Sequence, residues 1–507
     1  MRFGALLAAT FFVFFGAALA QPATQAPATH AGTEPPGQPE HAVHAAPSEQ
    51  PDRLPPDATT HHTLALPGRT LTFTATAGAV RLAEDDKPEV ALAYVAYQRD
   101  GTDPAARPVA FVMNGGPGMA SAWLQLGALG PWRLPLDPQA ISPSLPPAVI
   151  DNADTWLDFT DLVFIDPAGT GYSRFIDTGE QAHRRLWSVD GDVDAAGQFI
   201  RRWLEANNRL LSPKIFVGES YGGFRGPKLV RDLQSEHGIG IGGLILLSPA
   251  LDLEMLTDDD SPLWWTARLP SMVAASRAAR GPVSRAALAD AEDYAAGDYL
   301  RGLLRGPHDP AELDRLSARL AELTELDPAL LRRRGGRLGT RTFLHEFYRA
   351  QGRVASPYDA TVTSPNPDPS SDVPHYADAI LQGLIPPLTG AMVDVYAHRL
   401  NWRPDGDYRL SNQSAYDHWN FGHGLAAPES LGNLAQALAL DQRLRVLVEH
   451  GLTDLVTPYF GTQILLNQLP DFGERVRLLT HAGGHMFYLR NDSRAALRQE
   501  AQALIGG

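Results

Sequence analysis

The residues most suited to chemistry are a serine flanked by glycines. Gly218-Glu219-Ser220-Tyr221-Gly222-Gly223 follows the apolar run Ile215-Phe216-Val217 and precedes a stretch that can open a helix. A strand, a sharp turn and a helix in that order make a nucleophile elbow, in which the glycines leave room for a turn too tight for side chains. The helix N-terminus beside Ser220 favours negative charge on its oxygen. A serine hydroxyl is a poor nucleophile at neutral pH, so it needs a histidine to take its proton and a carboxylate to orient that histidine.

Both partners occur downstream, each just after a candidate strand. Arg445–His450 reads as a buried strand, and Gly451-Leu452-Thr453-Asp454 follows it with an acid. Arg475–Leu479 reads as the next strand and runs into Thr480-His481-Ala482-Gly483-Gly484-His485. The order serine, acid, histidine is that of α/β-hydrolases. His450 and His481 compete with His485 for the base, and the paired glycines before His485 favour it by letting the loop fold back. Asp252, near another strand end, is the rival acid.

Further blocks carry a family resemblance. Asn114-Gly115-Gly116-Pro117-Gly118 after the strand Val109–Met113, Asp166-Pro167-Ala168-Gly169-Thr170-Gly171-Tyr172-Ser173 after Leu162–Ile165, the elbow, the Asp454 loop and Gly484-His485-Met486 together resemble the serine carboxypeptidase family. The likeness extends in scattered blocks over roughly residues 85 to 490. It implies a serine-type carboxypeptidase with the triad Ser220, Asp454 and His485, and it selects His485 over the competing histidines. It also implies an oxyanion hole from the backbone N–H groups of Gly116 and Tyr221, consistent with the rule that one donor follows the nucleophile and another comes from an earlier Gly-rich loop.

The resemblance further implies that Asn114, Gly115 and Glu219 grip a substrate's C-terminal carboxylate. A second glutamate of that grip is missing, because Ala128 stands in its place. A weaker hold on free C-termini follows as an expectation, with Gln125 as a candidate substitute and with blocked peptides, esters or small amides as further substrates. An esterase or acyltransferase on the same scaffold is the alternative function, and a non-catalytic binding protein is the remaining one.

The elements that must position these residues read as an α/β fold with a mainly parallel central sheet flanked by helices. Alternating stretches at Thr70–Ala75 and Val90–Tyr97 read as antiparallel strands at the sheet's edge. From Val109 onward, apolar strands alternate with helical patterns, such as the one over Asp192–Leu204. Residues 252–387 break the alternation and read as an inserted, mostly helical cap, with Asp309-Pro310-Ala311-Glu312 as a helix start. Trp264 and Trp265 are candidates for either the cleft or the core. The catalytic domain is placed at 61–507, after a Pro-, Ala- and His-rich linker at 21–60 expected to be disordered.

Composition narrows the function classes. The chain has 507 residues and a net charge of −15, which excludes the basic surface of a nucleic-acid binder. It has no cysteine, so disulfides and thiolate metal sites are ruled out. The histidines of the N-terminal stretch, including His61 and His62, read as incidental, and neither metal nor cofactor is expected. Arg2, the apolar Leu6 to Leu19 and Ala18-Leu19-Ala20 read as a signal peptide over 1–20, too short for a comfortable membrane span. The expectation is an exported protein acting on peptides, periplasmic or secreted, without stable membrane insertion after cleavage. Taken with the lack of cysteine, the resemblance implies a bacterial member.

Overall fold

A computed structural model describes residues 54–84, 87–371, 377–422 and 427–506. The proposed signal segment and most of the linker lie outside the described residues. The central sheet contains β1 (Ala58–Leu66), β2 (Arg69–Glu84), β3 (Lys87–Arg99), β4 (Val109–Met113), β5 (Asp161–Ile165), β6 (Arg174–Phe175), β7 (Lys214–Glu219), β8 (Gly243–Leu247), β9 (Arg445–Gly451) and β10 (Val476–His481). Their order is β1-β2-β3-β5-β4-β7-β8-β9-β10, with the short β6 paired to β3. The pairs from β5 to β10 are parallel, and β1, β2 and β3 are antiparallel.

The central strands are continuous apolar runs because both faces are covered. In β7, Ile215 and Val217 point into one core layer and Phe216 into the other; in β8, Ile245 and Leu247 oppose Leu244 and Leu246. Helix α1 (Val189–Ala206) packs Phe199, Ile200 and Trp203 on one face, joined by Leu229, Val230 and Leu233 of α2 (Tyr221–Ser235). Leu497 and Ala501 of the C-terminal helix cover the other face. Ser188 caps α1 by accepting from the Gly191 N–H at 3.1 Å, where a helix start needs an acceptor.

Two boundaries differ from those read in the sequence. The proposed linker at 21–60 overlaps β1, which begins at Ala58, and Leu54 is already buried. His61 and His62 belong to this strand, paired with Thr74 and Phe73, so they are sheet residues rather than members of a flexible tail. Polar residues pointing outward along an edge strand hid its period from a compositional reading.

The break in alternation also extends beyond 387. Pro386 and Pro387 lie inside a helix, Leu381–Asp394, and the sheet resumes only at Arg445. The inserted region is helical in most of its length, with Asp309 capping Pro310–Thr324 as expected, but it includes a hairpin of Arg353–Ser356 and Asp359–Pro365. Trp264 and Trp265 do not line the central cavity: Trp264 donates to Leu256 O at 2.9 Å and lies under the Arg268 guanidinium.

Candidate active site

Strand order fixes where a site can form. The chain leaves β4 toward β5 on one side and leaves β7 toward β8 on the other, so the connections from these two adjacent strands part at their carboxyl ends. Such a reversal leaves a crevice beyond the sheet. Met113 pairs with Gly218, which sets Asn114 beside Glu219 and one residue from Ser220.

Ser220 sits at the turn between β7 and α2 with φ +57° and ψ −119°. A non-glycine residue in this region is strained, so its surroundings must hold it. Its N–H donates to Leu247 O at 2.9 Å, and its carbonyl accepts from Gly223 N at 2.9 Å and Ala250 N at 3.2 Å. The flanking glycines are required by contact: a Cβ on Gly218 would lie 2.1 Å from Gly222 O, and one on Gly222 would lie 2.5 Å from Met113 O. The loop after β4 presses on the same turn, since a Cβ on Gly115 would lie 2.4 Å from Tyr221 N. Buried Arg225 ties the two together, pairing with Asp192 at 2.6 Å and donating to Asn114 O at 3.0 Å.

Asp454 and His485 meet behind this turn. His485 Nδ1 lies 2.9 Å from Asp454 Oδ2 and 3.1 Å from Thr457 Oγ1, and both partners of the pair are buried. Asp454 Oδ1 accepts from the backbone N–H groups of Val456 at 2.8 Å and Thr457 at 3.0 Å. These acceptors place the ring proton on Nδ1 and leave Nε2 as the unprotonated nitrogen. The His485 backbone is fixed as well, donating to Tyr358 O at 2.5 Å and accepting from Ser248 Oγ at 2.8 Å. Burial lowers the His485 pKa, but the Asp454 and Glu219 carboxylates outweigh it and hold the imidazole above its ordinary value.

Ser220, His485, Asn114, Gly116, Glu219 and Tyr221 line one cavity of about 90 Å³. The remaining wall is mainly apolar and aromatic, with Trp123, Tyr358, Leu381, Tyr416 and Phe421 among it. Among the described residues, neither lysine nor arginine lines this cavity. Gly116, with φ +107°, and Tyr221, the first residue of α2, therefore face the same space as Ser220. Glu219 accepts from the Asn114 side-chain amide on one oxygen and from the Tyr488 hydroxyl at 2.8 Å on the other. Burial raises its pKa, while His485, Tyr488 and Asn114 pull it down.

The competing candidates fall elsewhere. His481 pairs with Glu449 at 2.5 Å and stacks on Phe487; neither residue lines the cavity. Burial lowers the pKa of His450 to about 4, which keeps that ring neutral. Asp252 caps the helix Leu253–Thr257 through the Glu254 N–H at 2.9 Å. Gln125 does not take over from the missing glutamate: it is buried and donates to Tyr97 Oη at 2.8 Å, away from the cavity. Tyr358, Thr457, Arg225 and Tyr488 were not singled out in the sequence. No cluster of acids and histidines able to hold a metal occurs among the described residues.

The sheet, the elbow at Ser220 and the loops beyond β9 and β10 define an α/β-hydrolase. A model of the serine carboxypeptidase family matches residues 67–273 of the chain. It is 26% identical over 193 residues to serine carboxypeptidase-like 45 of Arabidopsis thaliana, covering 36% of this chain and 38% of the relative. It is 31% identical over 123 residues to the pheromone-processing carboxypeptidase KEX1 of Colletotrichum graminicola, covering 24% of this chain and 18% of that one. The matched stretch thus spans less than half of either relative's length. Among solved structures, a prohormone-processing carboxypeptidase from Saccharomyces cerevisiae, KEX1(delta)p, superposes with a TM-score of 0.52 at 15% identity, over 85% of this chain and 91% of that one. At that identity the likeness speaks for the fold.

Proposed function

We propose that the protein is an exported serine-type carboxypeptidase that hydrolyses C-terminal peptide bonds through an acyl-enzyme on Ser220. The observation that carries this reading is the buried Asp454–His485 pair beside the strained elbow serine, with Ser220 and His485 on one cavity. His485 Nε2 takes the Ser220 proton as the oxygen attacks the substrate carbonyl carbon. Asp454 holds the tautomer and stabilises the imidazolium. The Gly116 and Tyr221 N–H groups receive the negative charge on the carbonyl oxygen, a contribution for which losing one donor typically slows the reaction about 100- to 1,000-fold.

The carbon–nitrogen bond then breaks, and His485 gives its proton to the leaving amine. Water, deprotonated by the same histidine, releases the acid and restores Ser220. The inserted region after Asp252 acts as the cap, with the turn at Tyr358 fixing His485 from above. Export rests on the signal-like N-terminal segment, with a periplasmic or secreted destination. No helix among the described residues is long and apolar enough to cross a membrane.

One observation favours esters and amides as additional substrates: Ala128 is wholly buried and offers no carboxyl to the cavity. Mass spectrometry of peptide-library digests tests the main reading. Stepwise loss of C-terminal residues is the expected pattern, and exclusively internal cleavage overturns it.

A further inference from the structure

Among the described residues Glu219 is the one carboxylate lining the cavity, and its surroundings dictate what it can recognise. Tyr488 lies 269 residues away in sequence and donates to Oε1 at 2.8 Å, while the Asn114 amide donates to Oε2. The Tyr488 ring is fully buried against Gly127, where a Cβ would come 3.0 Å from Cε2, directly beside Ala128. A phenol therefore serves the carboxylate next to the position where the family resemblance calls for a second glutamate.

This exchange changes the chemistry. Two carboxyl groups in contact share one proton and can present it to an incoming anion. A buried phenol keeps its own proton, and burial drives the Tyr488 pKa well above the ordinary value. With a fixed donor on each oxygen, Glu219 has only acceptor capacity left for a substrate. An ionised substrate carboxylate would meet a like charge, and no lysine or arginine among the described residues lines the cavity to offset it.

We propose that Tyr488 is a specificity-determining residue which, acting through Glu219, makes the site accept a substrate terminus that donates N–H, such as a carboxamide, and admit a free carboxylate only once Glu219 is protonated. The proposal deepens the reading of the site as a serine hydrolase and rests on it. The titratable groups that act on Glu219 are His485 and Asp454 from the loops after β10 and β9, Tyr488 from the turn following His485, and Tyr358 from the hairpin. The His485 charge, Tyr488 and Asn114 favour the ionised carboxylate; burial and Asp454 oppose it.

The test compares an N-acylated dipeptide with its C-terminal carboxamide on the full-length protein, measuring kcat and KM separately between about pH 4.5 and about pH 8. At about pH 8 the amide should match or exceed the acid in kcat/KM, and the acid should gain at least ~10-fold on acidification through KM. Y488F removes a donor to the ionised form, so the KM limb for the acid should move to higher pH. E219Q, whose amide can donate, should flatten that limb, and it serves if Y488F does not fold. A wild-type preference for the acid above ~100-fold at about pH 8, or a Y488F whose acid limb stays in place while both substrates slow equally, overturns the proposal. Hydrolysis of a small activated ester separates the two levels. Turnover of the ester with a strong acid preference defeats only this inference, whereas no ester turnover defeats the hydrolase reading beneath it.

Discussion

Two buried aspartates at opposite ends of the same sheet are held in different ways. Asp161 opens β5 and is clamped by Arg107 at 2.6 Å and Arg209 at 2.6 Å, with all three side chains buried. Asp454 follows the carboxyl end of β9 and is surrounded by backbone N–H groups, a threonine hydroxyl and a histidine. Two arginines close the first into a buried ionic cluster, which suits a structural tie between the starts of β4, β5 and β7. Neutral donors leave the second able to support the positive charge that His485 carries whenever its Nε2 takes up a proton. Burial of an acid is thus not itself a sign of chemistry; the kind of partner separates the roles.

Substitutions at the two ends should separate activity from stability. The largest effect is expected from Ser220→Ala, a loss of kcat of ~10⁶-fold with the fold retained, checked by steady-state assay beside circular dichroism. Asp454→Asn should follow at ~10⁴-fold, because an amide side chain no longer enforces the Nδ1–H tautomer. Asp161→Asn should reverse the pattern, lowering unfolding free energy by about 3–5 kcal/mol in denaturant titration while the folded fraction keeps its turnover. A catalytic collapse without a stability change in Asp161→Asn would erase the contrast. Thr457→Val should cost about 1–2 kcal/mol, near tenfold in kcat, since its hydroxyl is shared by Asp454 and the His485 ring.

The smallest effect is a pH displacement. The His485 pKa is raised in the folded protein, so amide and ester turnover should climb with pH through a value above the ordinary 6.5. The same shift contributes stability that is complete below about pH 6.5 and is lost as pH rises through the folded value. The stability gap between wild type and Asp454→Asn should therefore be widest in acid and narrow toward alkaline pH. A gap that widens with pH would contradict the assigned direction.

Legibility of the site in the sequence followed distance along the chain. Gly116, Tyr221 and Asn114 entered through the family resemblance that their segments carry, whereas Ser220 sits in a short segment next to a continuous apolar strand, so local pattern and turn chemistry sufficed to propose it. The antiparallel and parallel strands were legible for the same reason. Asp454 and His485 were proposed because each follows its own strand by a few residues, with the family resemblance selecting His485 over its neighbours. Tyr488 and Tyr358 were not found, because nothing local distinguishes a tyrosine that reaches Glu219 across 269 residues or one whose carbonyl receives the His485 N–H. Arg225 and Asp192 escaped likewise: a buried pair across two helices looks like two solvated charges until the helices are packed. The start of β1 was missed because an edge strand faces water and carries polar residues.

The most direct test is covalent labelling of the protein with a fluorophosphonate, followed by peptide mapping. The account predicts a single adduct on the peptide containing Ser220, absent from Ser220→Ala and strongly slowed in Asp454→Asn. A folded protein that stays unlabelled, or one labelled at another residue, would contradict it.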